Sequence, residues 1–389
     1  MARRLIQVAA LFGLTACGTA PSASADQAAS DRPFTVSEVA RFDAPWAMSF
    51  LPGSGVRLTN MALVTEKTGK LWLLDTRSGR KEEVAGVPPV HVEGQGGLLD
   101  VLASPDFAGN QQVFISYSKD GPNGSSYTAV DAGRLILGQG QPRLDGLRSW
   151  WNAGPAVKGG SHYAGRLAIS PDGQYLFMSF GERFQFDPAQ RLDNSIGKII
   201  RLRTSHAIPE DNPFEVPHGQ PSPPGKNPGI WTYGHRNPLG LAFAPDGRLW
   251  EIEMGPMGGD ELNLIQRGRN YGWPRASNGS NYDGSDIPDH KPGDGFEPPK
   301  VWWNPSVSPA GLIIYSGDLF PEWKGDALIG ALSGEALIHV RIRGDQASKT
   351  DQWPMGHRIR AVDEGPRGEV YLLEDGAGGR LLRLEPKPR

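Results

Sequence analysis

The sequence contains very little cysteine. Its 389 residues include one, Cys17, so the chain can form no internal disulfide, no CxxCH haem attachment and no cysteine-rich zinc or iron–sulfur site. The GxGxxG, Walker, HExxH and GxSxG patterns are also absent. Their absence removes the usual sequence support for nicotinamide, ATP and common hydrolase chemistry. Redox chemistry would therefore need a cofactor that is held by residues scattered over several loops.

The sequence also lacks a long apolar run at its start and a dense block of one charge. Residues 5–14 form a mostly apolar run, which is shorter than the roughly 20 residues that span a bilayer. The run follows Arg3 and Arg4, and this pattern predicts a signal peptide over residues 1–17. The formal net charge is −3, with no basic stretch to neutralise phosphates, which argues against a nucleic-acid partner.

The end of the predicted leader resembles a bacterial lipobox. Leu14-Thr15-Ala16 precedes Cys17, which would be lipidated and become the mature N-terminus. We therefore expect an exported, periplasm-facing lipoprotein that touches the membrane only through lipid at Cys17, and Gly18 favours the outer membrane. The alternative is ordinary cleavage with Cys17 inside the leader. Residues 18–34, rich in Ala and Ser, predict a flexible tether, and residues 35–389 predict the folded domain.

Glycine and proline are abundant, with 51 and 34 residues, and they separate many short apolar runs. This composition favours β-structure. Six phrases place a proline turn before a strand-like segment, as in SPDGQYLFMSFG from Ser170, and their prolines stand at 52, 105, 171, 245, 321 and 366. Repeats of several strands are typical of β-propellers, and the uneven spacing indicates inserted loops. The predicted fold class is all-β, a six-bladed β-propeller whose N-terminal segment completes the last blade.

Three further segments are placed by their composition. A hairpin is expected from strands at residues 62–65 and 70–74 around a Thr-Gly turn. Polar, Pro- or Gly-rich insertions at residues 204–227 and 275–299 predict long loops over one face, where binding usually occurs. The loop MGPMGGDELNLIQRGRNYGWP, residues 254–274, offers Asp260, Glu261 and main-chain carbonyls as hard oxygen ligands for Ca²⁺. The alternative for these two acids is simple solvation, since no EF-hand pattern is present.

Several short phrases, taken together and in order, resemble one family. The phrases are GQGGLLDV from Gly94, GSHYAGRL from Gly160, YGHRNPLGLAFAPDG from Tyr233, DELNLIQRGRNYGWP from Asp260 and HRIRAVDEGPRGEVYLLED from His357. They are similar to the soluble quinoprotein sugar dehydrogenases, the glucose/sorbosone dehydrogenase family, over about residues 35–386. The resemblance implies a six-bladed propeller, the cofactors pyrroloquinoline quinone (PQQ) and Ca²⁺, and oxidation of an aldose at C1 to its lactone.

The resemblance also implies catalytic and metal-binding residues. His162 matches the catalytic histidine, and a neutral imidazole suits a general base because its pKa lies near the working pH. Glu182 would orient it. The carbonyls of Gly255 and Pro256 match ligands of the catalytic Ca²⁺, a Lewis-acid role. A second calcium site matches Glu261 and Tyr271, together with Asp260.

PQQ is a planar tricarboxylate, so its site needs cations and amides of fixed geometry. Arg358 and Arg360, two apart on a predicted strand, would point the same way. The other contacts that the resemblance implies are Gln95, Arg236, Asn237, Tyr282 and Asp375. Where the resemblance implies a lysine, the chain has Ser333. The missing charge predicts cofactor binding that is weaker by about 1.5–3 kcal/mol.

The expected partners are an aldose sugar and an electron acceptor, a cytochrome or a quinone, that the sequence does not identify. The protein is expected to be a monomer or a homodimer. Two alternatives stay open. The propeller could be a non-catalytic carbohydrate-binding or scaffold protein, because this fold hosts both classes. The enzyme could also act on sorbosone or another non-glucose carbonyl sugar.

Overall fold

The structure is a computed structural model that describes residues 32–53, 58–138, 140–214 and 227–388. The predicted signal peptide, Cys17 and most of the predicted tether lie outside these residues. Pro33–Arg389 forms one compact unit. No helix in the described ranges has the length and hydropathy needed to cross a bilayer.

Six four-stranded antiparallel sheets follow one another along this unit, which confirms the predicted six-bladed β-propeller. The innermost strands of neighbouring blades contact each other in a closed ring. From the innermost strand outward, blades 1 to 3 consist of Pro45–Phe50, Met61–Glu66, Lys70–Asp75 and Lys81–Glu83; Leu98–Ala103, Gln112–Asp120, Ser126–Ile136 and Arg143–Asn152; and Ala164–Ile169, Tyr175–Phe180, Lys198–Arg203 and Ile230–Tyr233. Blades 4 to 6 consist of Pro238–Phe243, Leu249–Glu253, Asp260–Ile265 and Val301–Trp303; Pro309–Ile314, Ala327–Ala331, Ala336–Arg343 and Gln346–Pro354; and Ile359–Glu364, Val370–Glu374, Gly379–Pro386 and Phe34–Phe42.

Little else is regular. A two-stranded ribbon pairs Met257–Gly258 with Gly279–Ser280. The helical segments in the described ranges are a single turn at Phe107–Asn110 and three 3₁₀ turns, Pro122–Gly124, Asp187–Gln190 and Pro321–Trp323.

The N-terminal strand completes blade 6, as the sequence predicts. Phe34–Phe42 runs antiparallel to Gly379–Pro386, with Phe34 opposite Pro386. The Phe34 ring is buried and packs edge-on against Trp353, with 5.4 Å between ring centroids. The outer edge of the last blade is therefore covered by a segment from the other end of the domain.

The six predicted proline turns each join the first and second strands of one blade. In blade 3, Ser170 Oγ accepts the Tyr175 N–H at 3.0 Å, and Gly173 has a φ of +72°, which glycine tolerates best. Because strands alternate in direction, these turns lie at one edge of the ring. The connections between the second and third strands, and those between blades, lie at the opposite edge, which we call the mouth.

The two predicted insertions differ in where they go. Residues 204–227 join the third and fourth strands of blade 3, so this insertion starts and ends at the proline-turn edge, and its residues 215–226 lie outside the described ranges. Residues 275–299 leave blade 4 at the same edge, but Gly279–Ser280 pairs with Met257–Gly258 beyond the second strand of that blade. The second insertion therefore reaches the mouth.

A single buried arginine spans the central channel. Arg166, on the innermost strand of blade 3, contacts one residue from each of the other five blades: the Trp46 ring at 3.9 Å, Asp100 at 3.4 Å, and the carbonyls of Leu239 at 2.7 Å, Ala310 at 2.6 Å and Arg360 at 3.4 Å. It lines a cavity of about 350 Å³ toward the proline turns. A separate cavity of about 180 Å³ lies toward the mouth.

Candidate functional site

The mouth collects side chains that lie far apart in the sequence. The cavity of about 180 Å³ is lined by residues of several blades, among them Gln95, Arg358 and Arg360. His162 and Arg236 lie in the connections that enter blades 3 and 4 at the same edge. Blade-to-blade connections all end there, so alternation of strand direction alone brings these residues to one side of the ring.

His162 is held rigidly by two contacts. Its Nδ1–H donates to Glu182 Oε1 at 2.5 Å, and its main-chain N–H donates to Gln95 Oε1 at 2.8 Å. Glu182 is fully buried, and its second carboxylate oxygen accepts the Phe186 N–H at 2.6 Å. Within the described residues, His162 Nε2 has no hydrogen-bond partner. The predicted orienting role of Glu182 thus agrees with the geometry.

Burial governs the ionisation of His162. Desolvation lowers the pKa of His162 below its ordinary value, the hydrogen bond that His162 donates to Glu182 opposes this shift, and the Arg236 charge adds to the lowering. The imidazole is therefore neutral at neutral pH, with Nδ1 protonated and Nε2 carrying a lone pair. This is the ionisation state that a general base requires.

Arg236 and Asn237 enter the site beside His162. The Arg236 guanidinium donates to the carbonyls of Met254 and Gly255, at 2.9 and 2.7 Å, and to the Tyr282 hydroxyl at 3.1 Å. Asn237 is fully buried, and neither its amide oxygen nor its amide nitrogen has a partner in the described part of the chain. A buried amide without partners is costly, so these two atoms indicate a site for a polar ligand.

Arg358 and Arg360 point the same way, as their spacing predicts. Each donates through Nε to one carboxylate oxygen of Asp375, both at 3.0 Å. Burial would raise the pKa of Asp375, but Arg360 and Arg358 outweigh it and hold that pKa below its ordinary value. Each carboxylate oxygen accepts from one arginine, so Asp375 positions the two guanidiniums, and its contact with the cofactor stays a prediction.

The residues predicted to bind the first calcium lie at the mouth. Gly255 and Pro256 are buried in the connection between the second and third strands of blade 4. A Cβ on Gly255 would lie 2.2 Å from the Gly258 carbonyl, so only glycine fits there. The Gly255 carbonyl accepts from Arg236, and a cation bound here would share that oxygen with the guanidinium.

The residues predicted for the second calcium separate into two groups. Asp260 accepts from Ser306 Oγ and from three main-chain N–H groups, those of Gly255, Val307 and Ser308 at 2.9, 2.7 and 2.9 Å, so its carboxylate organises the loops. Oδ1 accepts one of these bonds and Oδ2 the other three, and metal ligation by Asp260 stays a prediction.

Glu261 and Tyr271, by contrast, border a cavity of about 10 Å³, which is close to the space of one water. The Tyr271 hydroxyl donates to the Leu264 carbonyl and accepts the Gln266 N–H, which leaves the Tyr271 carbonyl as its possible ligand.

Sequence reasoning missed one cation at the cavity. Lys67, in the Thr-Gly hairpin of blade 1, lines the cavity together with Arg358 and Arg360, and its Nζ donates to the Gly94 carbonyl at 2.9 Å. Burial and the Arg360 charge lower the pKa of Lys67, and Asp375 opposes this shift. A lysine in a hairpin turn carries no local signal of a site, because only the closing of the ring brings it there.

An aromatic wall beside His162 was also missed. Phe184 and Phe186, in the segment GERFQF, are exposed, and the Phe184 ring lies 5.2 Å from the His162 ring. Phe184 stacks parallel to Tyr282 at 6.3 Å, and Phe186 stacks on Trp273 at 5.8 Å. Both phenylalanines have positive φ angles near +60°, a strained conformation that is common at functional sites. The signal in the sequence is a pair of phenylalanines that alternate with polar residues in the segment GERFQF.

The arrangement combines three chemical functions at one opening. A neutral imidazole can accept a proton, a group of three cations can bind a polyanion, and flat rings can receive the face of a ring-shaped substrate. The buried amide of Asn237 supplies further donors and acceptors of fixed position. Such a site suits proton abstraction next to a flat, anionic ligand.

Comparison with known proteins gives the same family along nearly the whole chain. Residues 42–383 match the family described as Glucose / Sorbosone dehydrogenase. The chain is 39% identical over 356 residues to aldose sugar dehydrogenase YliI of Escherichia coli K12, covering 89% of this chain and 91% of that protein. It is 27% identical to quinoprotein glucose dehydrogenase B of Acinetobacter calcoaceticus, covering 87% and 85%. The structure of the PQQ-bound aldose sugar dehydrogenase of Streptomyces coelicolor superposes with a TM-score of 0.72 at 26% identity, covering 91% and 98%.

Proposed function

The chain belongs to the glucose/sorbosone dehydrogenase family and is an oxidoreductase acting on CH–OH groups of sugars, and from this premise we propose that it oxidises aldoses at C1 to the lactone with PQQ and Ca²⁺. The observation that carries the proposal is the convergence of His162 and Glu182 with a cationic cavity at one mouth. The relatives named for aldose or glucose oxidation support the choice of substrate class.

The residues at the mouth fit a planar tricarboxylate. Arg358 and Arg360, fixed by Asp375, offer two guanidiniums to carboxylates, and Lys67 adds a third positive charge. The partnerless amide of Asn237 offers a donor and an acceptor in a buried position. When bound, PQQ supplies a quinone that accepts the hydride from C1 of the sugar.

His162 is proposed as the general base. Its free Nε2 accepts the proton of the C1 hydroxyl, and Glu182 stabilises the imidazolium that forms and fixes the tautomer. Burial of both groups keeps competing water from the proton transfer. The Phe184 ring, 5.2 Å from the imidazole, gives the sugar a flat apolar surface on which to orient its C1 end.

Calcium is proposed at two positions. The carbonyls of Gly255 and Pro256 would hold one ion beside the cofactor, where a divalent cation polarises a carbonyl that receives negative charge. Glu261 and the Tyr271 carbonyl would hold a second ion in the small cavity under the 254–274 loop. The second ion would stabilise the loop that carries the first.

Reconstitution tests the function directly. Purified protein with added PQQ and Ca²⁺ should reduce a dye on addition of glucose or other aldoses, and removal of Ca²⁺ by a chelator should abolish the activity. Replacement of His162 by Gln should lower kcat by about 10²-fold or more while PQQ still binds. Turnover that survives His162→Gln would contradict the proposed base.

The same experiment separates the alternatives. A scaffold or carbohydrate-binding propeller would bind sugar without dye reduction, and His162→Gln would leave that binding unchanged. A sorbosone-type enzyme would be active on sorbosone or another non-glucose carbonyl sugar and inactive on glucose. No dye reduction with any sugar, although PQQ is bound, would contradict the proposal.

Export and anchoring are proposed on sequence grounds alone. Lipid at Cys17 would hold the protein at the periplasmic side of a membrane, probed by labelling with a radioactive fatty acid in the native protein and in Cys17→Ser. An unlabelled native protein would contradict the proposal. A cytochrome or a quinone is proposed to take the electrons, because only an external acceptor can reoxidise the cofactor when the chain offers no second redox centre.

A further inference from the structure

Blade 4 carries a square of polar side chains on one face of its sheet. Glu251 and Glu253 alternate on the second strand, and Glu261 and Asn263 alternate on the third, so all four project from the same face. In the antiparallel register Glu251 is opposite Asn263, and Glu253 is opposite Glu261. Glu251 and Asn263 are fully buried, and Glu253 and Glu261 are 4% and 5% exposed. We call these four residues the polar square.

His235 faces the polar square from the connection that enters blade 4. It is fully buried, its Nδ1 lies 3.2 Å from Glu253 Oε1, and its Nε2 lies 2.9 Å from Thr232 Oγ1. Potential ligand atoms of His235, Glu251 and Glu253 all lie within 4.8 Å of one another. The second ring N–H of a metal-binding histidine usually donates a hydrogen bond to an oxygen, and Thr232 Oγ1 is in place to accept it.

The Asn263 amide nitrogen lies between the three carboxylates, where a bound cation would lie. It lies 3.0 Å from Glu251 Oε2, 3.4 Å from Glu253 Oε1 and 3.2 Å from Glu261 Oε2. Its two hydrogens cannot satisfy three carboxylates and the other lone pairs around them. Within the described residues, Asn263 Oδ1 and Glu251 Oε1 are buried without any hydrogen-bond partner.

The square has little compensating charge. Across the described ranges, none of its three carboxylates forms an ion pair with a lysine or arginine side chain. Outside the square, His290 Nε2 lies 3.6 Å from Glu261 Oε1, on the far side of that carboxylate from Asn263. Glu253 Oε2 accepts the main-chain N–H of Arg236 at 2.5 Å, which leaves Oε1 directed at His235 and Asn263. Buried carboxylates without partners are expensive, and a bound cation is one of the few ways to neutralise several of them at once.

We propose that the polar square and His235 form a binding site for a first-row divalent cation, Mn²⁺ or Zn²⁺. Glu251, Glu253 and His235 Nδ1 bind the ion directly, and the Asn263 carboxamide rotates so that Oδ1 replaces its nitrogen as the group facing the centre. One imidazole among carboxylate oxygens favours these ions over Ca²⁺, which prefers oxygen ligands alone. Glu261 is not among these direct ligands, because its carboxylate is proposed for the second calcium position that borders the square; the site requires no PQQ.

Metal binding to the full chain, without PQQ, tests this inference. The protein is stripped of metal with a chelator, titrated with MnCl₂ while the electron paramagnetic resonance signal of free Mn²⁺ is followed, and separately loaded with ZnCl₂ and assayed by mass spectrometry. The native protein is expected to bind one more equivalent of either ion than Glu251→Gln. The matched control is Glu369→Gln, a buried glutamate in blade 6 that pairs with Arg367 and should bind like the native protein.

A second variant covers the case in which Glu251→Gln does not fold. Asn263→Asp adds an anionic ligand at the centre and should tighten Mn²⁺ binding by about tenfold or more. Equal metal content in the native protein, Glu251→Gln and Asn263→Asp would show that the carboxylates share protons instead, and would overturn the proposal. An equivalent lost in Glu251→Gln that only Ca²⁺ can fill would overturn the assignment of the His235 nitrogen as a ligand. Dye reduction by sugars is not part of this readout, so the enzymatic proposal stands or falls separately.

Discussion

At the scale of single residues, the contact between His162 and Glu182 determines the predicted pH profile. In Glu182→Gln the imidazolium loses its stabilising carboxylate, while burial and Arg236 still disfavour it, so the pKa of His162 should fall further. The acid limb of kcat/KM, which marks loss of the neutral base, should then move to lower pH, while kcat at pH 7 falls by about 10²-fold. The comparison is a pH profile of both proteins.

The matched control is Asp187→Asn. Asp187 is an exposed acid in the same connection, and its loss should leave the limb in place. A limb that stays where it is, or moves to higher pH, in Glu182→Gln would mean that the carboxylate does not act on the charge of His162.

Ser333 stands where the sequence resemblance implies a lysine. Its hydroxyl bonds to Ser308 Oγ at 2.8 Å, and Ser308 lines the cavity of the mouth. Ser333→Lys should restore a charge-assisted contact and tighten PQQ binding by about 1.5–3 kcal/mol, roughly 10- to 100-fold in Kd. Ser348→Lys adds the same charge at an exposed site on blade 5 and should leave Kd unchanged. Equal Kd values for all three proteins would indicate that Lys67 already supplies the missing charge.

Sequence reasoning identified residues whose neighbours in the chain carry a pattern. His162, Arg236 and Arg358 each stand in a phrase that resembles the family, and the structure brings them to one mouth. Asp375 and Asp260 also make contacts that the sequence does not predict, with two arginines and with loop N–H groups, because a carboxylate next to a site can serve a neighbouring group as well as a ligand. Lys67 and Phe184 were missed, since their place in the site depends on how blades 1 and 3 close the ring.

At the scale of elements, the strand Phe34–Phe42 is held to the domain by its pairing with Gly379–Pro386 and by the buried ring of Phe34. Phe34→Ala removes a buried ring from between Trp323 and Trp353 and should lower the free energy of unfolding by about 3–5 kcal/mol. Val36→Ala, on the same strand but 39% exposed, should change it by less than about 0.5 kcal/mol. Chemical denaturation of the three proteins measures both effects. A similar loss in the two variants would mean that strand pairing matters more than the packing of Phe34.

Elements were the most predictable part of the molecule. The proline turn of blade 3 is a local event, set by the rigid φ of Pro171, the hydrogen bond between Ser170 and Asp172, and Gly173 in the left-handed region. The paths of the insertions were less predictable, because residues 275–299 reach the mouth through pairing with Met257–Gly258, and no local pattern specifies that partner.

At the scale of the whole molecule, Arg166 joins all six blades. Arg166→Met would leave Asp100 buried without its partner and three main-chain carbonyls without a donor, at a cost of about 3–5 kcal/mol in the free energy of unfolding. The double variant Arg166→Met with Asp100→Leu removes the stranded charge and should recover part of that loss. Denaturant titration distinguishes the three proteins, and an unchanged midpoint in Arg166→Met would refute a structural role for the channel arginine.

The Arg166 guanidinium also closes the central channel between the two cavities. Within the described residues, the cavity at the mouth and the cavity toward the proline turns are therefore separate, and the cavity at the mouth is reached from that side of the ring. The sugar, its oxidised product and the electron acceptor would therefore use the same opening one after another. Steady-state kinetics in which the sugar and the electron acceptor are both varied should then give parallel double-reciprocal lines, the pattern of a ping-pong mechanism.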